Sequence, residues 1–227
     1  PFDDLEALAA VVDQDTAAVL LEPIPATLGM PLPSAGYLAD VRAICREWGT
    51  KLILDEVQTG LGRTGRLWYA HHEGLEPDAL VTGKGLGGGI YPMSATLLSP
   101  ELLDFFHRHP FIHVSTFGGA ELGCAAALTV LDIIAEPGFL ERVEAISDEI
   151  AGAFEELPFE LRRCGLMMGL KFPDETAAMA ATAGLFKAGV FVVWANNDPS
   201  VVQFLPPLVL SDDESSELID RVRGVFG

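Results

Sequence analysis

The chain has 227 residues, with 14 Lys+Arg against 33 Asp+Glu and a formal net charge of −19 at pH 7. Such an acidic balance repels phosphate backbones and anionic headgroups, which argues against nucleic-acid binding and membrane-surface attachment. The length allows one large domain or two small ones, and a mean hydropathy of +0.32 calls for extensive cores or an interface. No stretch approaches the roughly 18 apolar residues that span a bilayer. Three separated cysteines, Cys45, Cys124 and Cys164, form no CxxC pair, so a reducing, cytoplasmic location is expected. The chain opens Pro1-Phe2-Asp3-Asp4 with neither an initiator Met nor a signal-peptide pattern, and is read as a piece of something longer.

In chain order, Ala17–Leu21 is a continuous apolar run and predicts a buried strand ending at Glu22-Pro23. After a Pro-rich loop, Ser34 is the expected N-cap of a helix whose face carries Leu38, Val41, Ile44, Cys45 and Trp48, with Gly49 at its C-terminal end. Lys51–Leu54 predicts a second strand running into Asp55-Glu56, and Ala79–Thr82 a third running into Gly83-Lys84. This spacing predicts an α/β sheet of buried, mostly parallel strands. From Gly119 to about Leu157 the pattern is helical, broken near Pro137-Gly138. Beyond it come strands within Glu160–Phe172, a helix over Glu175–Ala188, strands at Val190–Ala195 and Val201–Leu205, and a closing helix over Asp213–Val225. Two domains are expected, residues 1–135 and a smaller α+β unit over residues 136–227.

Ligands collect at the carboxyl ends of strands in open α/β sheets. Asp55 and Lys84 stand there. A lysine at a strand mouth among glycines can act as a nucleophile with a lowered pKa, and a strand-end carboxylate can hold a fixed charge against a cationic ring. Those are the two protein groups that pyridoxal phosphate (PLP) chemistry needs. Taken singly, a strand-end Asp is as readily a turn cap and a lysine merely solvated.

The surrounding motifs carry more. Asp55-Glu56-Val57-Gln58-Thr59-Gly60-Leu61-Gly62-Arg63-Thr64-Gly65 resembles the long signature of class-III aminotransferases, the ornithine, 4-aminobutyrate and diamine group. Lys84 follows at that family's spacing inside Thr82–Gly89, His113–Gly119 resembles its phosphate-binding turn, and Leu205-Pro206-Pro207-Leu208 its double-proline segment. Pro33 to Leu38 and Pro110 to His113 look most like the putrescine branch. The resemblance implies a fold-type-I PLP-dependent large domain, incomplete and mostly parallel, followed by a small α+β domain. It implies that Lys84 is the Schiff-base lysine and Asp55 the partner of the ring nitrogen. Val57 would pack on the ring, and Gln58 would bond near its 3′ oxygen. Thr116, with Ser115, would bind the phosphate of a partner subunit's cofactor in a homodimer with shared sites. The reaction implied moves an amino group from an amine or ω-amino donor, diamine-like by preference, to an oxo acid.

Two positions depart from the family pattern. Thr27 stands where an acidic residue is expected after Glu22-Pro23, and Gln203 where many members place an arginine; these are the candidate substrate positions. Losing one partner of a buried pair costs about 3–5 kcal/mol, whereas losing both is tolerable. The paired neutrality argues against a carboxylate clamp of that kind. The family's Ser/Gly-rich phosphate loop and ring-stacking aromatic belong upstream of Pro1, so the chain is read as the C-terminal part of such an enzyme. Rival readings are a mutase, racemase or decarboxylase on the same scaffold, or a non-catalytic dimerisation fragment. Gly83–Gly88 also fits G-x-G-x-x-G, but Gly89-Ile90-Tyr91-Pro92 breaks any helix that a dinucleotide fold would need. His107, His109 and His113 do not share a helix face, and no metal is expected. Ser211-Asp212-Asp213-Glu214 reads as a helix start.

Overall fold

The computed structural model describes all residues, 1–227, as two compact units. The first comprises Pro1–Pro23, Pro33–Leu61 and Arg66–Glu136; the second comprises Ile24–Leu32, Gly62–Gly65 and Pro137–Gly227.

The first unit holds α1 (Leu5–Ala9), β1 (Ala18–Leu21), α2 (Tyr37–Trp48), β2 (Lys51–Asp55), β3 (Ala79–Thr82), β4 (Ala95–Leu98), α3 (Pro100–Arg108) and α4 (Glu121–Ile134). Its sheet has the order β1-β2-β3-β4. The first three strands are parallel, with Leu21 opposite Leu54 and Asp55 opposite Val81. The strand ends that carry Glu22, Asp55 and Lys84 therefore lie along one edge of the sheet. β4 runs antiparallel to β3. Its half-exposed Ala-Thr-Leu-Leu gives no periodic signal, so it was not expected. In α2, Leu38, Val41 and Cys45 are fully buried while Trp48 is exposed, so the apolar face stops one turn short of that residue. The helix is entered through Gly36 in the left-handed region, not through Ser34 as expected. Ser34 instead gives its N–H and hydroxyl to the carboxylate of Asp3, which fixes the Pro-rich loop. Gly49 ends the helix at φ +72°, and the Thr50 N–H behind it reaches the Cys45 carbonyl at 2.9 Å.

The second unit holds α5 (Phe139–Phe154), β5 (Glu160–Cys164), β6 (Met167–Lys171), α6 (Glu175–Lys187), β7 (Val193–Ala195), β8 (Asp198–Phe204) and α7 (Asp212–Phe226). Its sheet is antiparallel throughout, ordered β5-β6-β8-β7. Strand β7 is shorter than the expected Val190–Ala195. Alternation along β6 and β8 splits the apolar residues between two faces. Met168, Leu170, Val202 and Phe204 join a core with Ile150 of α5, Leu185 of α6 and Val222 of α7. The opposite face carries Gly169 and Val201 and is covered by Ile24–Leu32; a Cβ on Gly169 would lie 3.3 Å from Met30 Cβ. Helix α7 opens with the expected capping box, in which Ser211 and Glu214 satisfy each other's backbone N–H. No single helix is long and apolar enough to cross a membrane.

Candidate active site

The turn that follows β2 is built to hold its side chains still. Asp55 accepts the Val57 N–H at 3.0 Å, and Glu56 continues the sheet by donating its N–H to the Val81 carbonyl at 2.8 Å. Gly60 N–H then returns to the Glu56 carbonyl at 3.0 Å, closing the turn. Only glycine fits at position 60, because a Cβ there would sit 2.6 Å from the Trp68 ring.

Lys84 follows β3 through Gly83 and opens a single 3₁₀ turn, Lys84–Gly87, with no α-helix behind it. It adopts φ +45°, a region that residues with a Cβ rarely occupy. Its Nζ donates to Gln58 Oε1. Partial burial of the amine lowers its pKa, opposed by the carboxylates of Glu22 and Asp55, which raise it. The net result is a lowered proton affinity. No ion pair joins Lys84 to Asp55. Val57 packs beside this loop, 3.6 Å from where a Gly83 Cβ would stand. Four expected site residues, Asp55, Val57, Gln58 and Lys84, thus meet at one sheet edge.

The other expected residues lie elsewhere. Ser115 and Thr116 occupy an exposed loop before α4, and neither hydrogen-bonds to Lys84, Asp55 or Gln58. Ser115 lines a cavity of about 680 Å³ with His113, Phe117, Tyr91, Met93 and Gly123. Thr27 sits in a 3₁₀ turn of the second unit, its carbonyl accepting the Asn197 N–H at 2.8 Å. Gln203 lies on β8 opposite Gly169 and Val193, on the face that Ile24–Leu32 covers. His107, His109 and His113 are all exposed.

Two carboxylates escaped the reading of the sequence. Glu22 ends β1 as Asp55 ends β2, so the logic of strand ends would have found it. Glu56 is fully buried, and nothing in its neighbours distinguishes it from a surface glutamate.

An amine of lowered pKa, a carboxylate and an amide oxygen thus lie along one strand-end edge. Residues 2–226 match the family described as aminotransferase class-III, and the chain belongs to that family. An uncharacterized aminotransferase of Archaeoglobus fulgidus is 49% identical over 232 residues, covering 100% of this chain and 55% of its own length. Ornithine aminotransferase from Toxoplasma gondii, whose structure is described as showing partial occupancy of PLP at its active site, superposes with a TM-score of 0.91. It is 33% identical, over 99% of this chain and 54% of that one. Acetylornithine aminotransferase from Elizabethkingia anophelis gives a TM-score of 0.90 at 30% identity, over 100% of this chain and 58% of that one. The chain thus spans about half the length of the relatives it matches, and its fold is that of the fold-type-I aminotransferases.

Proposed function

We propose that this chain supplies the lysine and the ring-nitrogen partner of a PLP-dependent aminotransferase that moves an amino group from an amine or ω-amino compound to an oxo acid. The observation that carries the reading is the strand-end edge where Lys84 Nζ meets Gln58, with the charges of Asp55 and Glu22 acting on the same amine. The donor set fits PLP. Lys84 would hold its carbonyl carbon, Asp55 its ring nitrogen, Val57 one ring face and Gln58 the ring oxygen. When bound, PLP supplies an electron sink that acidifies the carbon bearing the amine. Lys84, with its lowered proton affinity, would be suited to take the proton from that carbon onto its Nζ and hold it there. Asp55 would set its carboxylate against the ring nitrogen, as the acidic partner of that nitrogen.

Residues 1–135 are read as part of the PLP-binding domain and residues 136–227 as the small domain; the compact units divide near the same point, after Glu136, but Ile24–Leu32 and Gly62–Gly65 belong with the second unit, so the continuous division is corrected there. Ser115 and Thr116, exposed and apart from Lys84, fit the role of phosphate ligands for a partner subunit. We therefore take the enzyme to be a homodimer with shared sites. Thr27 and Gln203, both neutral, suit a donor such as a diamine better than one held by its carboxylate. The test is borohydride reduction of the PLP-loaded protein followed by peptide mass mapping. The pyridoxyl group is expected on Lys84; labelling of Lys51, Lys171 or Lys187 instead would refute the assignment.

A further inference from the structure

We propose that Glu56 is a positioning residue: its carboxylate clasps the turn that carries Gln58 and so fixes the Gln58 oxygen against the Lys84 amine. The side chain is fully buried. One oxygen accepts the Tyr69 N–H at 2.5 Å and the Thr59 hydroxyl at 3.2 Å, and the other accepts the Ala70 N–H at 2.9 Å. Its backbone binds Val81 and Gly60, as described above. A single residue therefore joins the end of β3, the turn 56–60 and the 3₁₀ turn Tyr69–His72.

Burial raises the pKa of Glu56, opposed by the bonds from Ala70, Tyr69 and Thr59, and it remains raised overall. No cation pairs with it, so it is not serving as a counter-ion. A buried carboxylate is costly unless its lone pairs are satisfied. Here one donor, the Thr59 hydroxyl, comes from the turn 56–60 and two, the Tyr69 and Ala70 N–H groups, from the 3₁₀ turn 69–72, so satisfying the carboxylate holds the two turns together. The groups facing Lys84 are Glu22, Asp55 and Gln58. Because Glu56 is not among them, its influence on the amine passes through the position of Gln58.

The inference rests on the proposed function only in taking Lys84 as the working amine. Trace acetylation of Lys84 from about pH 7 to pH 11, read by peptide mass mapping, gives the midpoint of its titration. Gln58→Leu removes the acceptor and is expected to lower that midpoint by about one unit, a tenfold loss of proton affinity. Glu56→Gln sets an amide N–H against a backbone N–H and is expected to lower the midpoint in the same direction. The double variant is expected to match Gln58→Leu alone. Thr59→Val, which keeps both backbone donors, is expected to give a smaller shift of the same sign, and it carries the comparison if Glu56→Gln does not fold. An unmoved midpoint in the folded variants, or a shift that adds in full to that of Gln58→Leu, overturns the proposal. Absence of borohydride-fixed PLP on Lys84 would defeat the functional reading and leave this comparison intact.

Discussion

Lys84 is held at φ +45°, a conformation that costs a residue with a Cβ ~1–2 kcal/mol. Strain of that kind persists where the surroundings over-determine it, and it gathers at working sites. Asp55 is the other residue to which the proposed function gives a chemical role. Asp55→Asn keeps an oxygen for the Val57 N–H but loses the charge. PLP uptake by the enzyme, followed by absorbance, is expected to persist, while transamination falls by roughly 10²-fold or more. Near-native turnover would mean that the ring nitrogen is held some other way. The placement of both at strand ends was legible because apolar runs mark the strands, and strand ends in an α/β sheet are where ligands collect. Glu56 was not, since its importance arises from Tyr69 and Ala70, thirteen and fourteen residues away, arriving above its carboxylate.

Among the elements, Asp78 joins β2, α2 and the start of α3. Its carboxylate accepts the Leu52 N–H at 2.8 Å and pairs with Arg42 of α2, and its carbonyl takes the Ser99 N–H at 2.8 Å. Burial would raise its pKa, but the bonds from Arg42 and Leu52 and the fields of Arg42 and Lys51 hold it below its ordinary value of 3.8. A group depressed in the folded state stabilises above its unfolded pKa, and the contribution is lost as pH falls through the folded one. Asp78→Asn is expected to cost about 3 kcal/mol in urea denaturation near neutral pH. The gap from the parent protein should close as pH drops below 3.8. A gap that is constant from neutral to strongly acid pH would show that the charge contributes nothing. The same scale explains what the sequence did and did not disclose. The parallel strands announce themselves as unbroken apolar runs, yet only β3 is largely buried; β1, expected as a buried strand, buries no residue fully and leaves Leu20 64% exposed. Strand β4 and helix α3 carry no such run: Thr96 interrupts β4, and α3 mixes polar with apolar residues and buries none fully.

For the molecule as a whole, apolar exposure is the dominant fact. Phe111, Phe117 and Val114 are 87%, 81% and 76% exposed in the loop that carries Ser115 and Thr116. Patches of this kind mark interfaces or aggregation hazards. The 227-residue chain is expected to self-associate with rising concentration in light scattering, and Phe111→Asp with Phe117→Asp to suppress it. Association unaffected by the pair would place the contact elsewhere. With about half the length of its relatives, the chain alone is also expected to bind PLP weakly and to lack transaminase activity. Tight binding in an absorbance titration, with full turnover, would contradict that expectation.

The polypeptide passes between its two units five times, at residues 23–24, 32–33, 61–62, 65–66 and 136–137. During synthesis, Ile24–Leu32 leaves the ribosome more than a hundred residues before β6 and β8, whose face it covers. At about 5–20 residues per second, Met30 waits for several seconds without the partners that bury it. The second unit is therefore assembled from non-local pieces, and its folding cannot begin from its own earliest segment. Expressing residues 137–227 alone would leave the Gly169 and Val201 face of the sheet bare.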